Sequence, residues 1–200
     1  TMPGRLGREY PKTAGHYHPP GPDGVSFPEV YEVVHGRAAF VLQRVDDVTV
    51  DRPEIKDVSV QICREGERIL IPPDCGHVTV NIGSTPLVVS DLVSLRSGHI
   101  YSSFRALRGA AHHLIADPEA ALGLRLEPNP AYPQAPEAVV ANGSRCEPFL
   151  RDEQPVYTHF LAEPDDFRFL DRPAGSIGPL LALWQQPRSE APDGESRGNV

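Results

Sequence analysis

Four residues carry the chemistry that is most legible in this chain. His16 and His18 are separated by one residue, and in an extended segment that spacing turns both imidazoles to one face, close enough to grip one metal ion. Glu29 follows a turn-rich stretch, PPGPDGVSFP, and opens an expected strand. His77 stands just after Pro72-Pro73-Asp74-Cys75-Gly76, at the start of another. Three imidazoles and one carboxylate suit iron, manganese, nickel or zinc, with positions left open for a substrate. Each residue also has a plainer reading: a surface pair of histidines, a solvated acid at a strand start, a turn histidine. Glu32 competes with Glu29 as the carboxylate, but three residues further along a strand it lies on the other face.

The elements that must position these side chains read as β-structure. Val30–Val45 is rich in β-branched and aromatic residues and is broken by His35-Gly36, which predicts a hairpin. Asp57–Ile62, Arg68–Ile71, Val78–Ile82 and Pro86–Leu95 continue the pattern at short spacing between Gly and Pro turns. With 22 Pro and 17 Gly, the chain disfavours long helices. The expected fold is therefore all-β, a small barrel. Tyr101–Ala116 reads as a loop with one or two helical turns, and Asp117-Pro118-Glu119-Ala120 as a further helix start. After Asn129 comes a Pro-rich connector, then an apolar segment from Cys146 to Leu170 able to dock on the barrel. The last fifteen residues are polar and are expected to be disordered.

Composition narrows the function. A length of 200 residues suits one domain, and a net charge of -8 with no basic run longer than two residues excludes a nucleic-acid footprint. No apolar run is long enough to span a membrane, and the opening TMPGRLGREYPKT lacks a signal-peptide core, so a cytoplasmic protein is expected. Cys63, Cys75 and Cys146 form no CxxC pair and read as buried or idle thiols.

The spacing resembles the cupin superfamily. Its first motif is met by His16, His18, Glu29 and Gly36, and its second by Gly66, Pro72, His77 and Asn81. The His-to-Glu gap is longer than usual, and Asp74 stands where cupins usually have a glycine. The flanks PGRLGREYPKTAGHYHP, PEVYEVVHGRAAFVLQ, ILIPPDCGHVTVNIG and SGHIYSSFRALRG look like the cupin-type glucose-6-phosphate isomerases of archaea, over roughly residues 3–130. That resemblance implies a cupin (double-stranded β-helix) barrel over residues 1–130, an irregular extension over 131–185 docked on it, and a disordered tail from 186 to 200. It implies His16, His18, Glu29 and His77 as ligands of a divalent ion, Fe2+ first and Mn2+, Ni2+ or Zn2+ next. Thr13 and Gly15 would face the substrate phosphate, while Tyr31, His99 and Tyr101 would line the sugar end. Glu29, Tyr31 and His99 would be catalytic, although ligand and base roles compete at Glu29. The implied activity interconverts glucose 6-phosphate and fructose 6-phosphate, in a homodimer with no nucleic-acid or membrane partner. The rival readings are an Fe(II) dioxygenase on the same ligands and a non-catalytic cupin that binds metal or sugar phosphate. Two departures stand out: the chain opens almost at the Pro3-Gly4 turn, short of the family's upstream strands, and Val93 replaces a tyrosine the family can present. The Pro155-Val156-Tyr157 segment could supply a replacement strand.

Overall fold

The computed structural model describes residues 1–132, 134–144, 146–150 and 154–185. The expected disordered tail from 186 to 200 lies outside them. The first six strands are β1 (Glu29–His35), β2 (Arg37–Val45), β3 (Ile55–Arg64), β4 (Arg68–Ile71), β5 (Cys75–Asn81) and β6 (Val88–Val93). They are followed by helix α1 (Ser102–Ala106) and strands β7 (His112–Ala116), β8 (Leu124–Pro128) and β9 (Ala138–Asn142). Helices α2 (Val156–Ala162), α3 (Arg168–Asp171) and α4 (Ile177–Gln185), joined by two short 3-10 turns, complete the chain.

Two sheets face each other, one ordered β5-β2-β3-β9 and the other β4-β1-β6, while β7 and β8 form a separate ribbon. Ala38, Phe40 and Leu42 of β2 meet Val33 of β1 and Ile69 and Ile71 of β4, filling the space between the sheets. The alternate residues Ala39 and Val41 point the other way, into a second core with Val78, Val80, Phe104 and Leu114. A third core covers the far side of β1 and β4, where Val30 and Leu70 pack against Val156, Phe167, Phe169, Leu180 and Leu183.

The structure corrects several expectations. His35-Gly36 is not a hairpin: β1 pairs with β4 and β6, whereas β2 pairs with β3 and β5. Gly36 instead carries the chain from one sheet to the other, at φ +93° and with no room for a Cβ, which would stand 2.9 Å from the Pro86 carbonyl oxygen. A strand buried on both faces takes its ladder partners from the whole fold, so adjacency in sequence does not decide pairing. Asp117–Ala120 is a turn of the β7–β8 ribbon and starts no helix. Pro155-Val156-Tyr157 begins α2 and adds no strand; the added strand is β9, which runs parallel beside β3. The extension is thus helical from Val156 onwards, whereas its first part holds β9 among turns and irregular chain, as was expected of the whole.

One buried contact helps to fix it in place. Glu32, on the outer face of β1, accepts a hydrogen bond from the Val156 backbone N–H at 2.7 Å, with Arg68 Nε 3.9 Å from its other oxygen. Cys63, Cys75 and Cys146 are all buried, and none forms a disulfide among the described residues. Among the described residues no helix is long and apolar enough to cross a membrane.

Candidate metal centre

The His16–His18 segment lies outside the named strands but is held as one. His16 and His77 exchange backbone hydrogen bonds at 3.3 and 3.1 Å, and Tyr17 and Ile100 do the same at 3.0 and 2.8 Å. The segment therefore extends the β5 edge, with His16 and His77 directly paired. His77 pairs with Leu42 on its other side, which turns its ring into the space between the sheets. Glu29 enters the same space from β1, in the opposite sheet. Tyr17, between the two histidines, points the other way, fully buried beside Phe104 with ring centroids 5.2 Å apart.

One ligand atom each from His16, His18, Glu29 and His77 lies within 4.8 Å of all the others. His18 Nδ1 is 2.7 Å from the Phe27 carbonyl oxygen, and an oxygen of that kind only accepts, so Nδ1 carries the hydrogen and Nε2 keeps its lone pair. That Nε2 sits 3.3 Å from His16 Nε2 and 3.3 Å from Glu29 Oε2. His77 Nε2 is 3.1 Å from the same carboxylate oxygen, which is nonetheless buried without a hydrogen-bond partner. Lone pairs crowded around an unpartnered buried oxygen are a donor set that a cation would satisfy, and the residues fit a metal ion.

The electrostatics agree. Burial, then the imidazoles of His77 and His18, push His16 down to about 3, so it is neutral at ordinary pH and free to coordinate. Burial would raise the Glu29 carboxyl, but His18 and His77 beside it outweigh that and hold it well below the usual carboxylate range. Glu29 is ionised.

Tyr31, His99 and Tyr101 gather around this cluster. Tyr31 Oη is 3.3 Å from His77 Nε2, and burial followed by the Glu29 charge raises its phenol well above the ordinary value. His99 and Tyr101 stack at 5.8 Å, their ring centroids 4.6 and 5.5 Å from that of His16. Thr13 and Gly15 stand apart: they line a cavity of about 410 Å³ with Val41, Val78 and Val80, on the sheet face opposite His77. The Thr13 hydroxyl accepts from the Thr79 N–H at 3.0 Å. A Cβ on Gly15 would meet the Phe104 ring at 2.2 Å. Asp74, at the position of the expected cupin glycine, adopts φ +60° and hydrogen-bonds Ser26, which explains why a glycine or aspartate suits that turn.

One carboxylate at the site escapes sequence reading. Asp91 on β6 pairs with Tyr31, which sets its side chain on the same face as Glu29. Burial and the Glu29 charge raise its carboxyl, and His77 and His99 act on it as well. In VVSDLV nothing local separates it from a solvated acid; only the β1–β6 register does.

Comparison with known proteins adds the lineage. The family described as glucose-6-phosphate isomerase (GPI) matches residues 1–130, a span that contains every member of the cluster. The chain belongs to the glucose-6-phosphate isomerase family. Relatives include the glucose-6-phosphate isomerase of Pyrococcus furiosus, 29% identical over 101 residues, covering 50% of this chain and 47% of that protein. That of Thermococcus litoralis is 28% identical over 101 residues, 50% of this chain and 46% of its own. That of Pyrococcus abyssi is 28% identical over 115 residues, 58% and 53% respectively. The chain spans about half the length of the relatives it matches.

Proposed function

We propose that this chain is a metal-dependent aldose–ketose isomerase that interconverts glucose 6-phosphate and fructose 6-phosphate, on a cupin-type barrel formed by residues 1–130 and braced by 131–185. The observation that carries the reading is the convergence of His16, His18, Glu29 and His77 within 4.8 Å, between two sheets, inside the region shared with the isomerase family. A divalent ion held by these four, Fe2+ first and Mn2+, Ni2+ or Zn2+ next, would supply positive charge beside the C1 and C2 oxygens, where negative charge develops during isomerisation.

The protein's own groups do the rest. Tyr31 keeps its phenolic hydrogen, because burial and Glu29 disfavour the phenolate, and can donate it to a sugar oxygen. His99 is exposed and stacked on Tyr101, so the pair forms the wall that the sugar meets on entry. The phosphate is assigned to the cavity that Thr13 and Gly15 line, which Tyr101, lining the same cavity and lying beside His16 and His99, joins to the cluster. A homodimer in the cytoplasm belongs to the same reading.

The test is conversion of fructose 6-phosphate by chelator-stripped protein, with and without added Fe2+ or Mn2+. Turnover that appears only with metal supports the proposal. A folded, metallated protein that turns over neither sugar phosphate refutes it.

A further inference from the structure

Isomerisation needs a group that takes a proton from one sugar carbon and returns it to the next, and the obvious carboxylate is badly placed to do so. Glu29 Oε2 lies between the Nε2 atoms of His18 and His77, at 3.3 and 3.1 Å, in the middle of the donor set. A carboxylate whose lone pairs are directed at a cation is a poor proton acceptor. Asp91 is no member of that donor set, although its carboxyl touches that of Glu29. It stands outside the four groups whose donor atoms lie within 4.8 Å of one another, yet β6 sets it opposite Tyr31, on the face that carries Glu29. Glu29, His77 and His99 are its charged neighbours, and among the described residues no Lys or Arg forms an ion pair with it. It is also exposed to solvent.

Resting on the isomerase reading, we propose that Asp91 is the catalytic residue that carries the proton between C2 and C1, leaving Glu29 to hold the metal. In the aldose-to-ketose direction the Asp91 carboxylate removes the hydrogen on C2 as a proton. The C2–H bonding pair becomes the C1–C2 double bond, and the carbonyl pair moves to O1. The proton that O1 gains is the one the O2 hydroxyl gives up, a C2 carbonyl forms as the double-bond pair takes the proton back from Asp91 at C1, and the carboxylate is restored. C1 is reduced and C2 oxidised within one molecule, so no outside oxidant or reductant takes part.

The experiment uses the metal-loaded protein. Asp91→Asn is expected to bind Mn2+ within about threefold of the parent affinity, measured by titration against a chelator, and to change KM little. Its kcat is expected to fall about 100- to 10,000-fold, the ordinary worth of a positioned acid–base group. Formate is expected to restore part of the turnover to Asp91→Ala, which a merely structural loss would not allow. Because Asp91 is open to solvent, ketose formed in D2O by the parent protein is expected to carry deuterium at C1. A parent kcat retained by Asp91→Asn overturns the assignment, and so does loss of Mn2+ binding, which would make Asp91 a ligand. Product free of deuterium overturns it in favour of direct hydride transfer. A parent protein that is folded and metallated but inactive refutes the isomerase reading itself and is seen before any variant is made.

Discussion

Gly76 offers the sharpest test of how the backbone holds the cluster. It precedes His77, and its missing side chain faces Tyr17, the residue between His16 and His18. A Cβ there would stand 2.5 Å from Cε1 and Cζ of Tyr17 and 2.9 Å from Cε2 of Phe104. Carbon atoms prefer about 3.5–4.0 Å, so Gly76→Ala must push the Tyr17 ring back by about 1 Å. The ring cannot swing freely, because Tyr17 is fully buried and its hydroxyl accepts a hydrogen bond from Gln43. The displacement must therefore pass into the backbone of the segment that carries both histidines. Overpacking of this kind costs about 1–3 kcal/mol, or roughly 3–10 °C in Tm for a chain of this size. A ligand pair moved relative to His77 is expected to lose about 10- to 100-fold in metal affinity, the scale on which supporting residues act. Thermal melts of the metal-free protein and a chelator-competed Mn2+ titration measure the two effects separately. A Gly76→Ala protein with parental Tm and parental metal affinity would refute the claim that Tyr17 packing sets the His16–His77 register.

Other outcomes follow from the same geometry. Glu29→Gln and His77→Ala are each expected to weaken metal binding by more than about 100-fold, beyond what outer supports are worth, and to abolish metal-dependent turnover; calorimetric Mn2+ titration decides this. In the metal-free protein His16 is held near 3 against 6.5 for an ordinary histidine, so the unfolded chain binds its proton first as pH falls. Stability should therefore be lost progressively from about pH 6.5 towards 3, with Glu29, also depressed, steepening the lower part of the same slope. His16→Asn should flatten the upper part, as read from Tm between pH 7 and 4. Glu32→Ala removes the acceptor of the Val156 N–H and is expected to cost about 2 kcal/mol and to speed proteolysis within residues 154–185. Metal affinity should be unchanged, because Glu32 lies on the opposite face of β1 from Glu29; a loss of metal would contradict that placement.

The cluster was legible because its determinants are short-range and its partners lie in strands. His-x-His needs only an extended backbone to share a face; Glu29 opens β1, as expected, and His77 lies two residues inside β5, which starts earlier than expected, at Cys75. Glu32 falls on the far face, as strand parity requires, and serves the extension. Asp91 was illegible because its role depends on which strand lies beside it. The corner at Gly36 looked like a hairpin for the same reason, since local turn chemistry does not report sheet membership. In the extension the prolines misled: Pro155 caps α2, while Pro164 and Pro173 open the 3-10 turns, so residues expected to interrupt order begin it. β9 was missed because AVVAN, five residues of intermediate exposure, shows no alternation to mark a strand.

The parallel strand β9 bears on how far the family match can be treated as a unit. A chain ended at residue 130 would keep every member of the donor set, yet β3 would become the border of its sheet, presenting a ten-residue row of unpaired backbone groups. Exposed edges of that length are templates for pairing with other chains, and natural proteins cover or blunt them. The stretch from Ala138 to Asn142 covers half of that edge, and the helices after it cover Val30 and Leu70. Residues that take no part in the chemistry thus keep neighbouring molecules from joining edge to edge, and a shortened form would retain its ligands while tending to aggregate.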